Sequence, residues 1–243
     1  MRKKINLFLL MAFSALSLCV DMHYAFADDD YNFSWLDPDK KIYVLQNRKF
    51  RKAGGAHLYA LGGMGLGELY RKAYQIQPRL GYWFNEDFGI EGFYTGRFNS
   101  TNGAYGSLAR AMVVNGVGKS PFIREITSQF GVLFNWAPWY AKINVFNTIL
   151  YFDWYFSAGL GSMSSRVGPN TLADNPAAWT NSNLFAVYLG TGHLFHISEM
   201  WMVRLDFLMH FYSAPIDGGF VGGSNDQAIF SNSSLNLGIG IKI

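Results

Sequence analysis

The sequence predicts an all-β fold: a closed antiparallel up-and-down transmembrane β-barrel with eight strands. Three observations predict it. Half of the 243 residues are apolar and 17% aromatic, yet only 15% are charged, against about 25% in a soluble domain. Beyond the first thirty residues, no apolar run reaches the length of about 18 that a membrane helix requires. Apolar and polar residues instead alternate along segment after segment, the mark of strands with two unlike faces.

The first segment is an export signal. Arg2, Lys3 and Lys4 precede an apolar run from Ile5 to Val20, and Ala25-Phe26-Ala27 supplies a small-x-small cleavage pattern. Cleavage after Ala27 defines 1–27 as a signal peptide. It removes three cations and Asp21, taking the formal charge from +3 to +1. That leaves no basic field to recognise nucleic acid. Cys19, the one cysteine, leaves with the signal, because Leu18 before it is too large for a lipoprotein site. The mature chain then has neither disulfides nor thiolate metal sites.

Residues 28–52 read as a periplasmic N-terminal leader, acidic at Asp28–Asp30 and basic in the NRKFRK segment. The barrel domain follows over 53–243. Alternation bounded by turn residues places strands at roughly 55–64, 72–84, 88–99, 126–137, 147–162, 183–196, 200–213 and 229–243. Each is long enough for a tilted strand to cross a bilayer, which takes about 9–11 residues.

The connections sort by parity. Asn85-Glu86-Asp87 and Ile197-Ser198-Glu199 are short, and Pro138 to Asn144 is of middling length. The intervening loops over 100–125, 163–182 and 213–228 are long, whereas GGMGLGEL gives only a modest link. Short turns at one end and long loops at the other are the habit of outer-membrane barrels. A β-sandwich has no reason to sort loops this way.

The faces agree. In MWMVRLDFLMHFY, Trp201, Val203, Leu205 and Phe207 alternate with Met202, Arg204, Asp206 and Leu208. The polar faces carry opposite charges in mid-strand: Arg79, Glu91, Arg97, Asp153, Arg204, Asp206 and Lys242. Eight strands enclose a lumen that side chains can fill, so these residues form either a structural plug or the lining of a narrow pore. Trp83, Trp136, Trp139, Tyr140 and Trp201 gather toward the short-turn end, with Tyr94, Tyr151 and Tyr212 nearer the loops, as an interfacial girdle requires.

The last strand, with Leu235, Leu237, Ile239, Ile241 and Ile243 on one face, pairs with the first so that no edge is left in lipid. It resembles the insertion signal read by the outer-membrane assembly machinery, although that signal usually ends in Phe or Trp. Three further stretches carry a family resemblance. YVLQNRKF, RLGYWFNEDFGIEGFY and APWYAKINVFNTILYFDWYFSAGLG resemble the outer-membrane β-barrel family of the myxobacterial type, small eight-stranded proteins of myxobacteria and predatory relatives. The resemblance covers most of 42–162 and, weakly, the end. It implies the fold and a place in the cell outer membrane, and it brings no catalytic residue.

Other chemistries are poorly advertised. His57, His193, His196 and His210 survive signal cleavage, but no spacing marks a serine nucleophile and its base. Gly62, Gly63, Gly65 and Gly67 lack the helix and spacing of a phosphate loop. The acidic residues Asp28–Asp30, Asp37 and Asp39 read as a solvated leader before a cation site. No cofactor is expected. The implied partners are outer-membrane lipid and lipopolysaccharide, the assembly machinery, and a periplasmic or envelope protein; NRKFRK reads as a segment at the membrane rim before a grip on such a protein. The leading expectation is a structural or interaction role, displaying loops on a filled barrel. A narrow porin-like channel is the alternative, with a lipid-modifying enzyme third.

Overall fold

The fold is taken from a computed structural model, which describes residues 48–68, 70–114, 123–168, 179–215 and 227–243. The expected signal peptide, the expected leader up to residue 47 and its acidic residues lie outside the described residues.

Eight antiparallel strands form one closed ring in chain order. They are β1 (Gly55–Leu66), β2 (Arg71–Trp83), β3 (Phe88–Thr101), β4 (Arg124–Val145), β5 (Thr148–Val167), β6 (Thr180–His196), β7 (Trp201–Pro215) and β8 (Gln227–Lys242). β8 closes the ring on β1, with Lys242 opposite His57 and Ser233 opposite Leu66. Cross-strand partners traced once around the wall run Gly55, Trp83, Gly89, Asn135, Ser157, Gly190, Leu208, Ser234 and return at Gly65. The return lies ten residues beyond the start (65 − 55). A stagger of that size tilts the strands by roughly 40°.

Period-two alternation is expressed strictly. In β7, Met202, Arg204, Asp206, Leu208, His210 and Tyr212 are buried while their neighbours are not. In β8, Leu235, Leu237 and Ile239 are exposed, Ile241 is partly covered, and Ile243 follows the strand, exposed. Ile76, Leu80, Phe130, Phe134, Phe185 and Leu237 are each between 49% and 66% exposed. An apolar exterior around a polar, edge-free interior is stable only in hydrocarbon, where every backbone group must be paired within the protein. The wall therefore spans a membrane.

One end of the barrel carries the short turns 84–87, 146–147 and 197–200, and the other carries 67–70 and the longer links 102–123, 168–179 and 216–226. The middling turn expected at Pro138 to Asn144 is instead wall. β4 runs on to Val145, and the chain reverses at Phe146 and Asn147, whose φ values are +47° and +63°. Two successive left-handed residues match the twist of a tight hairpin.

A register shift between Trp136 and Trp139 accommodates an extra residue near Ala137, whose N–H donates to the Asp87 carbonyl at 2.7 Å. In the first long loop, helix α1 (Gly103–Val114) was not expected. Asn102 caps it, its side-chain oxygen accepting from the Tyr105 N–H at 3.0 Å.

Candidate functional site

The interior is built in three tiers. In the middle, β2, β3 and β7 bring two arginines and two carboxylates together, and β5 adds Tyr155. The Arg204 guanidinium donates to Glu91 at 2.6 Å and to the Tyr155 hydroxyl at 2.7 Å. Tyr155 in turn donates to Asp206. Arg79 pairs with Asp206 and, at 3.4 Å, with the second oxygen of Glu91. Arg204 also lies between two rings, 4.7 Å from the Tyr59 centroid and 4.5 Å from that of Tyr155.

All four charged side chains are 3% exposed or less. Such a set is tolerable only because each charge meets an opposite one at short range. It forms a charge-neutral septum. Above it, Gln75, Gln77, Thr95 and Asn236 continue in uncharged hydrogen bonds, including Gln77 to Thr95 at 2.8 Å. Gly131 opposite them leaves the space that the Phe93 ring fills, a Cβ there falling 3.0 Å from Phe93 Cε1.

The turn-end mouth is closed by the chain itself. Residues 48–52 lie across it, and Lys52 is buried with its ammonium 3.0 Å from Asp153 and 4.2 Å from the Trp83 ring centre. Asp153 also meets His196 Nε2 at 2.6 Å and Arg48 at 3.5 Å. Arg48 reaches Asp87 at 3.0 Å and covers the Tyr140 ring, while Phe50 stacks on His196. Burial pulls the Lys52 ammonium below its ordinary pKa, against the opposing attraction of Asp153.

The loop-end mouth holds a different set. Glu125, fully buried at the start of β4, takes Arg71 at 2.5 Å and Arg166 at 2.7 Å. Arg97 donates to Glu68 at 2.7 Å and to Gln75 at 3.1 Å. Arg124 donates to the Pro215 carbonyl at 2.8 Å and stands over Phe230. Burial raises the Glu68 pKa, with Arg97 pulling the other way.

The expected interior residues thus occupy separate tiers. Arg79, Glu91, Arg204 and Asp206 meet in the septum, Arg97 lies at the loop end, and Asp153 lies at the turn end. Lys242 does not join them; it faces inward near the turn-end mouth and donates to the Arg51 carbonyl at 2.7 Å.

The expected girdle needs correction. Trp136, Trp139 and Trp201 are exposed at the turn end, but Trp83 is 2% exposed and lies inside. It shares the parity of Arg79, four residues away, so alternation turns it inward; Tyr82 and Phe84 occupy the outer face instead. Tyr140 also faces inward, stacked on Tyr151, because the extra residue near Ala137 reverses the parity of β4. Of the loop-side tyrosines, Tyr94 is exposed on the wall, Tyr212 is buried inside, and Tyr151 belongs to the turn end opposite His196.

Glu68, Arg71, Arg124, Glu125 and Arg166 were not singled out from sequence, and Arg48 and Lys52 of NRKFRK were read only as part of a basic leader, not as groups that pair with Asp153. All lie outside the expected strand limits, and starting the fourth strand one residue ahead of position 126 would have reached Glu125. Among the described residues, no histidine bonds to a serine and no group of three metal-ligating side chains forms.

No family model matches the chain, and no curated protein matches it in sequence. Among solved structures, it is similar to the N-terminal β-barrel domain of Pseudomonas aeruginosa OprF, at 10% identity and a TM-score of 0.46, covering 79% of this chain and 98% of that one. Neisserial surface protein A gives 11% identity and 0.44, covering 78% and 96%. The outer membrane protein OprG from Pseudomonas aeruginosa gives 14% and 0.40, covering 81% and 99%. At these values the assignment of the fold rests on the closed ring, its register and its inside-out polarity.

Proposed function

We propose that this chain is a bacterial outer-membrane β-barrel with a structural or interaction role, a rigid wall that displays the links over 102–123, 168–179 and 216–226. The observation that carries the reading is the septum of Arg79, Glu91, Arg204 and Asp206, which crosses the lumen as a neutral, buried network. Ions would have to break these pairs to pass, and breaking one leaves a charge uncompensated in a dry interior.

The export signal at 1–27 and the edge-free wall support placement in the outer membrane. The short-turn end, with the leader 28–52, then faces the periplasm, and the loops face outward. The quoted motifs support membership of the myxobacterial-type barrels. Lipid and lipopolysaccharide would surround the wall, and the assembly machinery would read β8. His196 engages Asp153 rather than a serine, which gives the enzyme reading no support.

Reconstitution in planar bilayers tests the proposal. The expected result is a quiet membrane; stable, ion-selective conductance steps would establish the porin-like alternative.

A further inference from the structure

One residue on the outer face of the wall is out of keeping with hydrocarbon. Away from the loop-end rim, the outward positions of the described strands hold apolar, aromatic, small or hydroxyl-bearing side chains, with the exception of His193 on β6. Its neighbours across the ladder are Trp154 on β5 and Leu205 on β7. Its ring lies 5.6 Å from that of Trp154, 5.7 Å from Phe152 and 6.0 Å from Phe195.

The polar groups beside it are satisfied within the wall. Trp154 Nε1 donates to the Thr191 hydroxyl at 2.8 Å, and that hydroxyl donates to the Tyr155 carbonyl at 3.0 Å. His193 is not satisfied. Its Nδ1 is buried without a hydrogen-bond partner, and among the described residues the imidazole makes only ring contacts. An ionisable side chain facing the membrane marks a functional position, because a lone imidazole there loses the partners that water would supply.

A recess adjoins it on the side toward the mid-wall. Phe134, Ala158 and Leu189 form one cross-strand row, Trp136, Phe156 and Thr191 the next, and Trp139, Trp154 and His193 the third, nearest the turn end. Ala158 is the smallest side chain of its row, so the wall is hollowed there. The recess has a volume of about 530 Å³ and is lined chiefly by Phe88, Phe134, Trp136, Phe156, Ala158 and Leu189. An apolar hollow with a polar group toward the interface has the layout of an amphiphile, and the tryptophans beside it are of the type that sits at headgroup level.

We propose that this recess and His193 form a site for one glycerophospholipid of the leaflet on the turn-end side. An acyl chain lies over Ala158 between Phe134, Phe156 and Leu189, and an imidazole N–H donates to a phosphodiester oxygen. The headgroup supplies what the wall withholds, an acceptor at the level of His193. The site continues the lipid-facing surface and rests on that reading of the wall, which it deepens by naming a place and a headgroup chemistry.

The probe is palmitoyl-oleoyl-phosphatidylethanolamine, titrated into the full mature chain folded in detergent micelles and read by native mass spectrometry. Heat-modifiable electrophoretic mobility reports separately whether the parent and each variant form the barrel. A parent that never folds in micelles or vesicles would sink the membrane reading, whereas a folded barrel that retains no lipid would sink this site alone. One lipid per chain should be retained saturably. Retention should fall at least fivefold in His193→Leu and in Ala158→Phe, which fills the recess, and stay unchanged in Met64→Leu on β1, across the barrel. Equal retention of palmitoyl-oleoyl-glycerol, which has no phosphate, would overturn the proposal, as would folded His193→Leu with undiminished retention. So would stronger retention of lipid A, which would assign the recess to a different lipid.

Discussion

The two mouths of the barrel are built from the same residue types and behave as opposites. At the turn end, Asp153 gathers Lys52, His196 and Arg48 around one carboxylate, and Phe50 covers them. The cations there come largely from outside the wall, on the segment 48–52. At the loop end the paired cations belong to the wall itself: Arg71 and Arg166 share Glu125, and Arg97 meets Glu68. One mouth is closed by a segment outside the wall, and the other is paired from within it. The difference teaches that a neutral septum lets each end of a barrel be specialised without disturbing the other, because opposite charges within it cancel at short range.

The largest expected effect comes from removing that separation. Glu91→Gln leaves Arg79 and Arg204 sharing Asp206 alone, and it should lower the unfolding free energy by about 3–5 kcal/mol. Urea titration in lipid vesicles measures this, and a loss below about 1 kcal/mol would show that the septum is not what isolates the mouths. Asp153→Asn comes next. Stripping the carboxylate from Lys52, Arg48 and His196 should cost about 1.5–3 kcal/mol and release residues 48–52. Limited trypsin digestion should then cut at Arg48 or Arg51 in the variant and spare the parent chain.

The third prediction sharpens the contrast through pH. Burial raises the Glu68 pKa, so between the ordinary carboxylate value and the raised one the folded chain holds more protons than the unfolded chain. Its contribution to stability therefore grows as pH falls through the raised value. Lys52 is shifted the other way: below its ordinary value the folded chain holds fewer protons, so its contribution grows as pH rises through the lowered value. Arg97, Arg71, Glu125 and Tyr212 face Glu68, while Asp153, Arg48 and Glu86 face Lys52. Glu68→Gln should flatten the acid limb of a stability–pH profile and Lys52→Met the alkaline limb. Exchange of those assignments would sink the two-mouth account.

The smallest effect belongs to the hairpin at the turn end. Asn147→Ala places a Cβ-bearing residue without a locally bonding side chain at φ +63° and should cost about 1–2 kcal/mol, whereas Asn147→Gly should be neutral within about 0.5 kcal/mol. Thermal unfolding of the two variants provides the check.

Much of the wall was legible because alternation is a local property. Arg204 and Asp206 share a face with each other, and Leu235 with Leu237, whatever the rest of the chain does. The misread aromatics show where local reading stops. Trp83 was assigned by its amphipathic character when its parity with Arg79 already placed it inside. Tyr140 could not be assigned by parity at all, since one extra residue near Ala137 exchanges the faces of everything that follows in β4. The helix α1 was hidden by the habit of reading a long link as loop, although Asn102 ahead of LARAM was a capping signal.

The sequence by itself determined that there would be strands of membrane-crossing length, that each would have one greasy and one polar face, and that long and short connections would fall at opposite ends. Each of these depends on neighbours two residues apart or on a single turn. Only the tertiary structure decided that Arg79 meets Asp206, that Glu125 is shared by Arg71 and Arg166, and that Lys52 reaches Asp153. Those partners stand 127, 54, 41 and 101 residues apart in the chain. They are brought together by ring closure with its ten-residue stagger, and in a low-dielectric lumen the resulting contacts decide which charges neutralise one another.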